Sequence, residues 1–316
     1  MNLKKTAFLF PGQGSQLVGM GEEFYKEYDS VRELFDMAED LTKINISRLC
    51  FKGPMDELTQ TINLQPALTV VNLACLYIMN REGVRPDFSA GHSLGEYSAL
   101  CSSGIVSTKD AIWLVDKRGQ LMHREALKNK GAMTAVVGLA IEDLSQIVET
   151  VGKEGVVAIA NHNTENQIVV TGSPDQVNKV ASIAAERGAK AIPLKVSGAW
   201  HSDLIKGAEQ EFGTFLNSVK FNEPSSAVLF NVTADVASDP DEIISIMHRQ
   251  LCSPVRWYDI VLKLVEEKVE IFVEVGPNRV LTGLLKKILP KEYTCNIYHV
   301  DNLKTFDKFF NDMAVL

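Results

Sequence analysis

The stretch GHSLGEYSAL, residues 91–100, constrains the fold more than any other part of the chain. It overlaps the end of a short segment at 87–91, DFSAG, which follows a turn signal and predicts a strand, and it opens a helical pattern over 94–104. A Gly-x-Ser-x-Gly sequence between a strand and a helix is typical of a nucleophile elbow, where the glycines permit a sharp turn that exposes the serine oxygen. A chance match in a loop is the alternative, and the strand–turn–helix context favours the elbow. We therefore predict an α/β fold with Ser93 as nucleophile and the backbone amide of Leu94 as an oxyanion donor.

Residues 129–198 have their own order of predicted elements. These are strand 132–139, helix 141–152, strands 156–161 and 167–172, helix 173–188 and strand 189–196. The order βαββαβ is that of a ferredoxin-like unit. We therefore expect a small inserted subdomain at 129–198 and a larger α/β catalytic body made of residues 1–128 and 199–316.

The body is predicted to alternate helices with short strands. Its predicted elements are strands 6–10, 87–91, 226–231 and 270–275, and helices 22–41, 65–80, 94–104, 108–127, 203–218, 241–251, 255–267 and 279–288. Helix 65–80 is apolar nearly all round, which predicts a central buried helix, with Pro66 in its first turn. Ser107 or Thr108 is expected to cap the predicted helix 108–127.

Composition narrows the class of protein. The net charge of −8 argues against a nucleic-acid partner, because phosphate binding needs a dense basic surface. The five cysteines are widely spaced without a CxxC pair, which argues against a disulfide framework or a metal site. The apolar run after the first lysines is too short for a signal peptide, and we expect no stretch that approaches the ~20 apolar residues of a membrane helix. A cytoplasmic protein without a membrane partner is expected.

A serine nucleophile needs a base, and His201 is the best placed of the six histidines. It lies in VSGAWHSDL, where the inserted unit ends and the body resumes, and a cleft is expected at such a junction. The side chain of His92 is expected to point away from Ser93, its neighbour. No acid stands at an obvious strand end between Ser93 and His201, and Asp203 is too close in sequence to orient the ring. We therefore expect a Ser–His dyad whose imidazole is oriented by a backbone carbonyl.

Six motifs occur together in a fixed order. They are FLFPGQGSQ (8–16), GHSLGEYSAL (91–100), DKRGQLM (116–122), VSGAWHS (196–202), QLCSPVRW (250–257) and EVGPNRVLTGL (274–284). Together they resemble the malonyl-CoA:acyl carrier protein transacylase family over roughly residues 6–288. The resemblance implies an α/β-hydrolase-like body with a parallel sheet and a ferredoxin-like insert. It also implies that the main-chain carbonyl of Gln250 orients His201, and that Gln13 supplies a second oxyanion amide.

The resemblance further assigns Arg118 to the carboxylate of the malonyl group. The chemistry agrees, because a guanidinium offers two parallel donors to a carboxylate. The alternative is a surface ion pair, although helical spacing turns Arg118 toward the packed side. Candidate cleft-lining residues are His92, Asn161, Asn163 and Trp200. Trp200 stands where many fatty-acid members of the family have a smaller aromatic residue, so it bears on acyl selectivity.

The expected reaction is transfer of malonyl from malonyl-CoA to the phosphopantetheine thiol of acyl carrier protein, with coenzyme A as substrate carrier and no bound cofactor or metal. A trans-acting polyketide acyltransferase and an acyl-thioester hydrolase remain alternatives, as does a non-catalytic carrier-docking protein. GQGSQLVGMG lacks the Gly-x-Gly-x-x-Gly spacing of a dinucleotide site. Two basic clusters are candidates for carrier docking: Arg279, Lys286 and Lys287, and Arg124, Lys128 and Lys130.

Overall fold

A computed structural model describes residues 4–313. The strands are β1 Thr6–Phe10, β2 Phe88–Gly91, β3 Ala132–Val137, β4 Val157–Thr164, β5 Gln167–Gly172, β6 Lys190–Pro193, β7 Ala227–Leu229, β8 Ile271–Val275 and β9 Asn296–Val300. The first seven helices are α1 Glu22–Glu27, α2 Asp29–Thr42, α3 Ile46–Lys52, α4 Met55–Thr59, α5 Thr61–Arg81, α6 Gly95–Ser102 and α7 Thr108–Lys128. The others are α8 Ile141–Gly152, α9 Pro174–Glu186, α10 Lys206–Leu216, α11 Pro240–Arg249, α12 Trp257–Glu266, α13 Val280–Ile288 and α14 Leu303–Met313.

Five strands form a parallel sheet in the order β7-β2-β1-β8-β9. Both faces of this sheet are covered. Phe8 and Phe10 of β1 join one hydrophobic cluster, whereas Ala7 and Leu9 join another on the opposite face. Successive strand residues point to opposite faces, so the uninterrupted apolar sequence of β1 is the pattern of a strand buried on both sides. The predicted α/β class is confirmed.

The other four strands form a separate antiparallel sheet in the order β4-β5-β3-β6. Val136 and Val170 on one face pack with α8 and α9, while Ala135 and Val169 on the other face belong to the main cluster. The backbone of Val255, before α12, exchanges hydrogen bonds with Ala160 and His162 of β4. The small sheet is therefore packed between its own helices and the elements around the parallel sheet.

Most predicted elements are present, with several corrections. Predicted helix 22–41 is two helices, α1 and α2, divided by the extended backbone of Tyr28. β4 runs to Thr164, beyond the end of the predicted strand 156–161, so His162 lies in a strand. α7 begins as predicted, with the Ser107 side chain accepting from the amide of Asp110. The helices α3, α4 and α14 were not predicted.

Helix α5 corrects two expectations. It begins at Thr61, so Pro66 lies inside the helix rather than in its first turn, because the amides of Asn63 and Leu64 already bond to the carbonyl of Gln60. By length and composition α5 is apolar enough to cross a membrane, contrary to the expectation that no such stretch exists. Of its most apolar window, 83% is buried inside the protein, as predicted for a central core helix.

Candidate active site

Ser93 lies at the turn between β2 and α6 with a positive φ of 49°. The turn is tight enough that a Cβ atom on Gly91 would overlap the backbone of Gly95, and one on Gly95 would overlap the carbonyl of Phe10. Glycine is required at both positions because neither obstacle is a side chain that could move. The strand–turn–helix context expected from the sequence is thus present at the carboxyl end of the parallel sheet.

Two side chains from distant parts of the chain hold the backbone of Ser93. The amide of Ser93 donates to Asn231 Oδ1 at 2.7 Å, and Gln250 Nε2 donates to the Ser93 carbonyl at 2.9 Å. Asn231 Nδ2 also donates to the Gly91 carbonyl at 2.6 Å. The strained conformation is therefore fixed on both sides of the serine. Sequence analysis missed Asn231 and the side-chain role of Gln250.

The imidazole of His201 faces the serine. Ser93 Oγ and His201 Nε2 are 2.8 Å apart, and His201 Nδ1 lies 3.1 Å from the Gln250 carbonyl and 2.9 Å from the Ser253 carbonyl. Carbonyl oxygens only accept, so Nδ1 carries the hydrogen and Nε2 accepts the serine proton. Burial, with Arg118 and His92 nearby, lowers the pKa of His201 to about 3 and keeps the ring neutral. Ser253 is a partner that the sequence reasoning missed.

Arg118 lies beneath the serine, 1% exposed, and does not form the surface ion pair that was the alternative. Its Nη2 donates to Ser93 Oγ at 3.1 Å. Its Nη1 donates to Gln65 Oε1 at 3.0 Å, and Nε and Nη2 donate to Gln250 Oε1 at 3.3 and 3.2 Å. Within residues 4–313, no carboxylate lies within 4.0 Å of the guanidinium. Burial lowers its pKa, and a buried cation held only by neutral groups favours an anionic ligand.

Both predicted oxyanion donors lie close to Ser93. Leu94 directly precedes α6, and Gln13 follows β1 and lines the same cavity as Ser93. Gly12 packs so closely on the carbonyl of His92 that a Cβ atom there would overlap it. In the described part of the chain, neither the Gln13 nor the Leu94 amide donates a hydrogen bond. Two free amides next to a nucleophile are what an oxyanion site needs.

The cavity that contains Ser93 and His201 has a volume of about 100 Å³ and lies between the two sheets. Its other lining residues are Gln13, His92, Met122, Met133, Asn161, Leu194, Val196 and Trp200. His92, one of the candidate cleft-lining residues, is thus among the residues that line this cavity. Asn163 lies behind it and accepts from His92 Nε2 at 2.8 Å. Asp203 is on the surface near Lys206, away from the imidazole.

One buried carboxylate completes the surroundings of the serine. Glu96, with no exposed surface, accepts from the amide of Asn231 at 2.7 Å and from Gln250 Nε2 at 2.6 Å. Burial raises its pKa to about 7, against the opposing effect of these donors and of Arg118. It stands in the elbow motif itself, and its place as the only acid of GHSLGEYSAL was the signal that could have identified it.

Comparison with known proteins places this arrangement in a family. A family model described as acyl transferase domain matches residues 7–304. The malonyl CoA-acyl carrier protein transacylase of Bacillus subtilis (strain 168) is 43% identical over 288 residues, which is 90% of this chain and 91% of that protein.

Solved structures agree. A malonyl CoA-acyl carrier protein transacylase from Clostridium perfringens matches with a TM-score of 0.92 and 34% identity over 98% of this chain and 97% of its own. A malonyl-transacylase solved in complex with its type II PKS acyl-carrier protein matches with a TM-score of 0.92 and 33% identity over 98% of this chain and 99% of its own. On sequence and on structure, the chain belongs to the malonyl-CoA:acyl carrier protein transacylase family.

Proposed function

We propose that this protein transfers the malonyl group from malonyl-CoA to the phosphopantetheine thiol of acyl carrier protein, through a malonyl ester on Ser93, and so supplies fatty acid synthesis. The observation that carries the proposal is the position of Ser93 Oγ, which lies 2.8 Å from His201 Nε2 and 3.1 Å from Arg118 Nη2. A base and a cation that meet at one nucleophile suit an acyl group that carries its own carboxylate. The names of the relatives support the same reaction.

In the first half-reaction, Ser93 Oγ attacks the thioester carbonyl carbon while His201 Nε2 takes the hydroxyl proton. The amides of Leu94 and Gln13 receive the negative charge that develops on the carbonyl oxygen. The carbon–sulfur bond breaks, and His201 returns the proton to the departing coenzyme A thiol. In the second half-reaction, the carrier thiol gives its proton to His201 and its sulfur attacks the carbonyl carbon of the ester. The bond from that carbon to Ser93 Oγ then breaks, and His201 returns the proton to Ser93 Oγ.

The role of Arg118 follows from its hydrogen-bond count. A guanidinium has five N–H donors. Four of them point to Gln65, Gln250 and Ser93, and one N–H of Nη1 is unused among the described residues. When Ser93 becomes an ester, the N–H that faced its hydroxyl is released. One N–H on each terminal nitrogen is then available for a carboxylate, which is the bidentate geometry that arginine favours.

The same proposal covers the architecture. We infer an α/β-hydrolase-like catalytic body of residues 1–128 and 199–316 with a ferredoxin-like subdomain inserted at 129–198. Support comes from the βαββαβ order of β3 to β6 and their antiparallel sheet. Support for the body is the parallel sheet with Ser93 at the strand–helix turn. The structure describes residues 4–313, so both outer limits fall beyond it.

We further infer a cytoplasmic protein whose partners are malonyl-CoA and acyl carrier protein, with neither nucleic acid nor membrane. A structural relative in complex with its acyl-carrier protein supports the carrier as partner. Ser93, His201 and Arg118 supply the nucleophile, the base and the carboxylate contact, so the proposed reaction calls for no cofactor or metal.

Intact-protein mass after brief mixing with malonyl-CoA or acetyl-CoA tests this function. We expect a malonyl adduct that Ser93→Ala abolishes and that Arg118→Ala reduces at least about tenfold relative to the acetyl adduct. Lys117→Ala is the matched control, since Lys117 neighbours Arg118 on α7 but pairs with Asp116. An adduct that a carrier thiol discharges faster than water supports transfer. Equal adducts from both donors, or discharge by water alone, would support a hydrolase instead.

A further inference from the structure

Glu96 is a buried carboxylate that the proposed reaction leaves without a role. It does not touch the reacting oxygen of Ser93. Each of its oxygens instead accepts from an N–H group: one from the Asn231 amide at 2.7 Å and the other from Gln250 Nε2 at 2.6 Å. An ionised carboxylate can only accept, so this contact determines which end of the Gln250 side-chain amide faces it.

The orientation of Gln250 has two consequences. Both hydrogens of its Nε2 are used, one by Glu96 and the other by the carbonyl of Ser93 at 2.9 Å. Its Oε1 is therefore directed to the other side, where it accepts from Nε and Nη2 of Arg118 at 3.3 and 3.2 Å. Glu96 and Arg118 thus contact opposite ends of the Gln250 side-chain amide. The negative charge of Glu96 holds the N–H end, and the amide oxygen is left to accept from Arg118.

We propose that Glu96 is a positioning residue that holds the Gln250 amide oxygen toward Arg118, and thereby sets the preference of this protein for acyl groups that carry a carboxylate. The inference rests on the proposed function, because it concerns how the malonyl group is selected at Ser93. It differs from the carbonyl role of Gln250 toward His201, since it acts through the side chain.

A neutral side chain at position 96 would break this arrangement. The amide of a Glu96→Gln variant would direct an N–H at either the Asn231 amide or Gln250 Nε2, and two donors cannot share one hydrogen bond. Reversing the Gln250 amide would relieve the conflict there, but it would place N–H groups against the guanidinium and an oxygen against the Ser93 carbonyl. Nε and Nη2 of Arg118 would then lose their shared acceptor, Gln250 Oε1, and the orientation of the guanidinium would change. An acetyl group has no carboxylate, so its transfer does not depend on the orientation of the guanidinium.

The test compares Glu96→Gln with Glu274→Gln. Glu274 is the matched control, because it is 1% exposed and accepts from the backbone amides of Leu281 and Thr282 but does not contact Ser93 or Arg118. The kcat/KM for acylation of Ser93 is measured with malonyl-CoA and with acetyl-CoA, and the readout is their ratio. We expect the ratio to fall about tenfold in Glu96→Gln and to stay within about twofold of the wild-type value in Glu274→Gln.

The outcomes separate the two proposals. An equal loss with both donors in Glu96→Gln would mean that Glu96 only stabilises the fold, and it would overturn the inference, as would an unchanged ratio. A wild-type protein that accepts acetyl as readily as malonyl would instead count against the proposed function. The two proposals can be tested separately, because the role of Glu96 is judged from the Glu96→Gln variant and the proposed function from the wild type.

A second measurement needs no substitution. Arg118 and the Tyr97 phenol are the charged and titratable groups that face Glu96 in the described chain, and burial raises the pKa of Tyr97, so it stays neutral. Since the pKa of Glu96 is about 7, lowering the pH from 8 to 5.5 protonates it and puts an O–H where an N–H already donates. We expect the malonyl-to-acetyl ratio to fall over that range in the wild type and to be flat in Glu96→Gln. If the variant does not fold, a wild-type ratio independent of pH overturns the inference. Coenzyme A is common to both donors, so its own titration affects both kcat/KM values equally and cancels in their ratio.

Discussion

At the scale of single residues, Ser93 shows what a motif can and cannot reveal. Its position was predictable, because the Gly-x-Ser-x-Gly spacing requires only near neighbours in sequence. Its partners Asn231 and Gln250 were harder to predict, since they lie more than 130 residues away and meet the serine only after the sheet has formed. The same holds for Ser253, which contacts His201 rather than the serine. Gln250 was assigned through the resemblance alone, and only for its carbonyl. No local pattern distinguishes the other two from ordinary loop residues.

The buried imidazole of His201 should make the protein sensitive to acid. Its folded pKa is about 3, against 6.5 in the unfolded chain, so the folded state binds fewer protons between these values. The contribution of His201 to stability is therefore present above pH 6.5 and decreases as the pH falls toward 3, by up to about 1.4 kcal/mol per pH unit. We expect His201→Asn to lose less unfolding free energy than the wild type between pH 7 and pH 4.5.

Denaturant unfolding at several pH values measures this difference. His123→Asn is the control, because His123 is half-buried on α7 and lies outside the catalytic cavity. If the wild type and His201→Asn lose stability in parallel, the imidazole is not neutral in the folded protein.

At the scale of elements, long periodic segments were predictable and short ones were not. α7, α8 and α9 lie within two residues of their predicted limits, because several turns repeat the same pattern. α3 and α4 have seven and five residues, too few for a period to be recognised. The break between α1 and α2 at Tyr28 also lacks a glycine or proline, so no local signal marks it.

The turn between β2 and α6 should not tolerate a side chain at Gly95. A methyl group there would overlap the carbonyl of Phe10, which is a backbone atom of β1, the central strand of the parallel sheet. We expect Gly95→Ala to lower the free energy of unfolding by about 3 kcal/mol and to abolish acylation of Ser93. Denaturant unfolding and adduct mass report the two effects.

Gly283→Ala is the matched control for that substitution. Gly283 is in α13, is exposed, and has nothing within 4 Å of the position where its Cβ would lie. Alanine there should stabilise the protein by about 0.5–1 kcal/mol, because it lowers the entropy of the unfolded chain and favours the helix. A Gly95→Ala protein as stable as the wild type would mean that the elbow can shift away from β1.

At the scale of the whole molecule, charge bears on how an acidic carrier could approach. The protein is itself acidic, with a net charge of −8, so local cations must attract the partner. The structure separates the candidates: Arg124 and Lys128 already pair with Glu125, and Arg279 donates to His299. Lys130, Lys286 and Lys287 have no ion pair within residues 4–313.

Lys130 is the candidate next to the catalytic cavity. It precedes β3, whose Met133 lines that cavity, and its neighbour Gly131 packs against the backbone of Ala199. We expect Lys130→Glu to raise the KM for acyl carrier protein several-fold at low salt, and to do so less as ionic strength screens the charge. Lys287→Glu on α13 is the control, with an expected change within about twofold. Equal effects of the two reversals would point to overall charge rather than to docking beside the cavity.

The strand order also determines when the protein becomes complete during synthesis. β1 is made first, yet one of its two neighbours, β8, comes only at Ile271–Val275. The carbonyls that orient His201 belong to Gln250 and Ser253, which are also late. A ribosome that stalls before residue 271 therefore leaves the central strand with an open edge, which can pair with another nascent chain. Translation past Val275 is therefore needed before both edges of β1 are paired and both carbonyls are in place on His201.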